Sequence, residues 1–144
     1  MARTPSPVKI VAEMLKNDHF SKWLDVDLIE ISKSSCSLGC NITKSMLNGF
    51  GIAHGGICFS LADSCLAFAA NANGLKCVST KTSIELKKKV FEGDYLIAKS
   101  NEIKRGSKNA QFEINITNQD DELVAYFKGD VYISSKKWNL DQMN

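Results

Sequence analysis

The side chains able to do chemistry gather in one stretch, Asn48-Gly-Phe-Gly-Ile-Ala-His54-Gly55-Gly56, followed seven residues later by a lone acid, Asp63. From Ile57 to Gly74 the chain reads as a helix apolar on nearly every face, the pattern of a helix buried inside its domain. Burying a carboxylate there is costly unless a partner or a task accounts for it. Such a group can act as general base on water or as a nucleophile. The paired glycines complement it. A helix N-terminus offers unpaired N–H groups and a positive dipole end, and glycine lets a substrate carbonyl come close because no Cβ intervenes. The Gly56 N–H is the expected oxyanion donor, with Gly55 beside it. Cys58, in the first turn, is a second candidate nucleophile, although cysteine is also a common core residue. The plainer alternatives are a locally hydrogen-bonded structural acid at Asp63 and a His54 ring that merely satisfies backbone groups.

Spacing adds a constraint. Seven residues put Gly56 and Asp63 on one helix face but about 10 Å apart along the axis, too far to touch one carbonyl carbon. A working site therefore calls for a second copy of the chain, with Gly56 of one facing Asp63 of the other across a two-fold axis.

These residues must be held by other elements. Ser6-Pro7 predicts a helix start, with Val8, Val11 and Leu15 as its apolar stripe to Lys16. Two strands follow, Val26 to Ile31 and Cys36 to Ile42, with Ser34-Ser35 as their turn. The loop 46–56 leads into the long helix, which Asn73-Gly74 should stop. Everything beyond reads as strand: Val78 to Leu86, Tyr95 to Ile103, Phe112 to Ile116 and Leu123 to Ile133, with Gly129 as a bulge. The tail 136–144 is polar and expected to be loose. This order predicts an α+β fold, an antiparallel sheet of five to six strands wrapped around one long buried helix, with a short N-terminal helix.

At 144 residues, 44% hydrophobic and 24% charged, the chain has the make-up of one soluble globular domain. A formal charge of +2 gives no argument for nucleic acid as a partner. No apolar run approaches the roughly 20 residues that span a bilayer, so no membrane partner is expected, and the N-terminus lacks the apolar region of a secretory signal. Five cysteines, an odd number in apolar or strand-like segments, fit reduced core thiols and a cytoplasmic protein. With two histidines and no Cys-x-x-Cys, no metal site is expected.

The string Met46-Leu-Asn48-Gly-x-Gly-x-x-His54-Gly-Gly-x-x-Phe59-x-Leu61-Ala62-Asp63-Ser64 resembles the hot-dog-fold acyl-CoA thioesterases of the phenylacetate-degradation (PaaI-type) group. Ser83-Ile-Glu-Leu86 and Phe91-Glu-Gly93-Asp94 extend the likeness, which covers about residues 20 to 134. One departure is Lys88-Lys89-Val90, where many relatives place a proline. The resemblance implies an acyl-CoA thioesterase that releases a carboxylic acid and free coenzyme A, with no cofactor beyond the coenzyme A of the substrate. It implies supporting roles at the loop for Asn48 and His54, and a hydroxyl on the following strand, Ser79 or else Thr80, to position water. Phe59, with Phe50 and Leu66, is a candidate acyl-pocket lining. Lys87-Lys88-Lys89 or Lys104-Arg105 to Lys108 could meet the phosphates of coenzyme A by charge. The family also implies a homodimer with shared sites, often paired into a dimer-of-dimers tetramer. Rival readings are a hot-dog acyl-thioester hydratase or dehydratase with His54 as acid/base, and a non-enzymatic acyl-CoA-binding sensor.

Overall fold

The computed structural model describes residues 3–33 and 35–140. Two short helices, α1 (Pro7–Lys16) and α2 (His19–Leu24), precede a hairpin of β1 (Asp27–Ile31) and β2 (Cys36–Asn41). After one turn of 3-10 helix comes the long α3 (Gly55–Asn71). Four strands complete the chain: β3 (Leu75–Leu86), β4 (Tyr95–Arg105), β5 (Asn109–Thr117) and β6 (Leu123–Lys137). They form one six-stranded antiparallel sheet in the order β1-β2-β4-β5-β6-β3. Thus α3 carries the chain from the β2 side of the sheet to its opposite edge. It lies against β2, β3, β4, β5 and β6. This is the hot-dog arrangement.

The α1 start is as the sequence predicts: the Ser6 hydroxyl accepts from the Lys9 N–H at 3.3 Å, and Pro7 opens the helix. Its stripe differs, since Ile10 and Val11 are buried whereas Val8 faces solvent. Nothing in the sequence pattern points to α2, whose six residues are too few to show a period. It is fixed by Asp18, which accepts from the Ser21 N–H and hydroxyl, and by Asp25 in the left-handed region at φ 57°. Of the expected Ser34-Ser35 turn, Ser34 lies outside the described residues; the Ser32 N–H donates to the Ser35 carbonyl.

Packing decides the rest. Leu61, Leu66 and Phe68 of α3 are fully buried, as are Leu38, Phe112 and Phe127 of the sheet. Gly129 is not a bulge. It pairs in register with Phe112 and Thr82, and the extra residue is Thr80, opposite Val131 and Asp130. Gly129 is instead a point of close approach, because a Cβ there would stand 2.6 Å from Leu66 Cδ2. Nor is the start of the tail loose. β6 runs to Lys137, and Trp138 is tied to the end of α3 through its N–H to the Gly74 carbonyl and its indole N–H to Asn71 Oδ1. Gly74, at φ 111°, turns the chain after α3, which closes at Asn71, earlier than the expected stop.

Candidate active site

The loop before α3 is a built object. Asn48 Oδ1 accepts from the Phe50 N–H at 2.9 Å and the Ile52 N–H at 3.4 Å, closing a turn around the glycines. The Asn48 amide NH2 has no hydrogen bond among the described residues, so it remains a spare donor. The loop is clamped to the strand end beyond β3, where the Ala53 N–H donates to the Val90 carbonyl at 2.8 Å. His54 is the N-cap of α3. Its Nδ1 accepts from the Gly56 N–H at 2.9 Å, which places the proton of the neutral ring on Nε2. The Gly56 N–H, the expected oxyanion donor, is therefore already engaged. The Gly55 N–H is the one left open at this end of the helix.

Asp63 lies two turns along. It is half-buried rather than fully buried, as are Phe59, Ser60, Ser64 and Ala67 on the same side of α3. Its carboxylate has no hydrogen bond or ion pair among the described residues. Burial alone raises its pKa above the ordinary value, since desolvation disfavours the charged form. Of the two readings of this acid, local hydrogen bonding is not what holds it.

The two halves of the motif open into separate places. Asn48, His54 and Gly55 line a cavity of about 300 Å³ with Cys58, Leu86 and Lys87 to Val90. Asp63 lines two clefts, one with Asp18, Phe20, Phe59 and Ser64, the other with Leu66, Val78 and Ser79. Within one protomer, the acid and the helix N-terminus do not share a cavity. Ser79 is brought to Asp63. Thr80 is not: as the bulged residue it donates its hydroxyl to the Asp130 carbonyl and lines a cavity with Lys104 and Asn109.

Phe59 stands beside Asp63, edge-on to Phe127 with centroids 5.4 Å apart. Phe50 sits on the loop with 91% of its surface exposed. Cys58 is buried, and desolvation pushes its thiol up to about 11, so at neutral pH it is not a thiolate. All five cysteines are free and buried. Phe20 of α2, missed in the sequence, also lines the Asp63 cleft, while Ser21 Oγ lies 2.8 Å from Ser64 Oγ. The only cue to that neighbourhood was the Asp18-x-x-Ser21 cap.

The thioesterase superfamily model matches residues 50–125, more than half of the chain, and covers the site loop from Phe50 onward, α3, β3 to β5 and the start of β6. The chain belongs to that family. Within this superfamily it is a PaaI-type hot-dog thioesterase. It is 35% identical to the Escherichia coli acyl-coenzyme A thioesterase PaaI over 116 residues, 81% of this chain and 83% of that one. A relative from Archaeoglobus fulgidus is 34% identical over 119 residues, 83% of this chain and 77% of the other. The structure of the E. coli PaaI protein from the phenylacetic acid degradation operon superposes with a TM-score of 0.88 at 31% identity, covering 91% of this chain and 95% of that one. The thioesterase is thus a thioester hydrolase by family. Among its described residues no helix is long and apolar enough to cross a membrane.

Proposed function

We propose that this thioesterase hydrolyses acyl-CoA, with sites shared between the two chains of a homodimer. The observation that carries the reading is the Asp63 carboxylate, without a partner among the described residues, in a partly apolar cleft and remote from the open N–H at the start of α3. Asp63 acts on the thioester carbonyl either by taking a proton from the attacking water or by direct attack to give an acyl anhydride. The Gly55 N–H receives the developing oxyanion, joined by the Gly56 N–H when the His54 ring turns aside. Asn48 offers its spare NH2 to the thioester, and Ser79 positions water beside Asp63. Phe59 borders the acyl group. No cofactor enters this scheme.

A dimer is supported by β3. It is a sheet edge, 12 residues long, with exposed Val78 and Leu86, and an unpaired edge of that kind favours pairing with another chain. Such pairing brings the Asp63 cleft, lined by Val78 and Ser79, towards the partner's helix N-terminus.

The test is thiol release from a panel of saturated acyl-CoAs, with arylacetyl, benzoyl and medium-chain members. Turnover is expected on at least one, and loss of about a thousandfold or more in both Asp63→Ala and Asp63→Asn. Activity within tenfold of wild type in those variants would sink the role of the acid. A product that remains a thioester would favour a hydratase, and tight binding without turnover a sensor.

A further inference from the structure

Resting on the acyl-CoA reading, the geometry points to Lys89 as the side chain that meets the phosphates of coenzyme A and sets the preference for a nucleotide-bearing thioester. Three lysines in a row, Lys87, Lys88 and Lys89, line the cavity that also holds Asn48, His54 and Gly55. Their backbone is anchored. The N–H groups of Lys87 and Lys88 both donate to the Val124 carbonyl, at 2.8 and 3.2 Å, and Val90 is buried with its carbonyl held by Ala53. The lysines therefore keep a fixed relation to the helix N-terminus.

Their charges are not equivalent. Lys87 is paired with Glu85 at 3.0 Å and Lys88 with Glu122, so both are already offset by carboxylates. Lys89 is exposed and has no ion pair among the described residues. Of the three lysines lining this cavity it is the one with no compensating carboxylate among the described residues. Leu86 and Lys89 share this lining with Gly55, so a thioester held at the Gly55 N–H with its pantetheine arm along the lining would bring the phosphates to Lys89. The rival basic cluster is elsewhere. Lys104 lines a cavity of about 530 Å³ with Gly106, Asn109 and Gln111, into which no residue of α3 opens.

The experiment compares kcat/KM for one acyl group carried by coenzyme A and by pantetheine, which lacks the nucleotide. The ratio of the two is expected to fall about tenfold in Lys89→Glu, the size of one exposed charge-assisted contact, and by less in Lys89→Ala. The change should lie in KM rather than kcat. The wild-type ratio should also shrink with added salt. Equal losses on both thioesters would show a structural effect and overturn the inference, as would an unchanged ratio. A tenfold fall in Lys104→Glu instead would move the contact to the other cluster. If wild type releases no thiol from any acyl-CoA, the functional reading fails. Calorimetric binding of coenzyme A against pantetheine in wild type and Lys89→Glu then still decides the inference.

Discussion

At the scale of single residues, the unusual feature is a carboxylate with no partner among the described residues, where burial already disfavours its charge. The pKa of Asp63 is raised above its ordinary 3.8 in the folded chain. Between the unfolded and folded values the native state binds the extra proton, so stability falls as pH rises through that window. Asp63→Asn, which cannot ionise, should therefore melt above wild type at pH 7, with the difference closing at about pH 4 and below. Equal melting temperatures at both pH values would mean that the acid carries no such penalty. The same shift should displace the acidic limb of the activity profile above the ordinary carboxylate range, because only the ionised form is base or nucleophile. Asp63 was legible as an acid on an apolar helix. The role of His54 was not, since sequence cannot say whether its ring faces the substrate or bends back to cap Gly56.

At the scale of elements, all six strands were legible in the sequence, and the unbroken apolar run made α3 visible. What sequence could not show was set by contacts between elements. Gly129 reads as a bulge because glycine weakens a strand, yet the structure uses its missing side chain to let Leu66 of α3 press onto β6. Thr80, an unremarkable β-branched residue in an alternating strand, carries the bulge and so turns away from the site. α2 escaped for another reason: its caps are local, but its residues Phe20 and Trp23 remain exposed and show no amphipathic pattern. Gly129→Ala tests the contact. Leu66 is fully buried and Phe127 Cε1 lies 3.2 Å from the same Cβ position, so the added methyl should cost about 1–3 kcal/mol and lower the melting temperature. Melting within a degree of wild type would show that the helix yields. Because Leu66 also lines the Asp63 cleft, activity should fall with stability.

At the scale of the whole molecule, the two halves of the proposed site lie on one helix and open into different cavities of one chain. Gly55 and Asp63 are eight residues apart on one helix, about 12 Å along its axis, and they open into different cavities. A shared site can be tested by complementation. One variant lacks the acid, Asp63→Ala. The other lacks the loop, combining Asn48→Ala with Gly55→Pro, which removes the open N–H. Proline is tolerated at the first helical position, and His54 already has the extended backbone, φ −59° and ψ 137°, that precedes a proline. Each variant alone should be inactive. In a mixed dimer one site combines the intact acid of one chain with the intact loop of the other, while the opposite site is doubly broken. Random association at equal amounts makes half of the dimers mixed, so about a quarter of wild-type activity should return. If acid and loop acted within one chain, no mixture could recover activity. Continued inactivity, with mixed dimers verified by two different tags, would reject the shared site and require that a single α3 bring its N-terminus and Asp63 to one carbonyl.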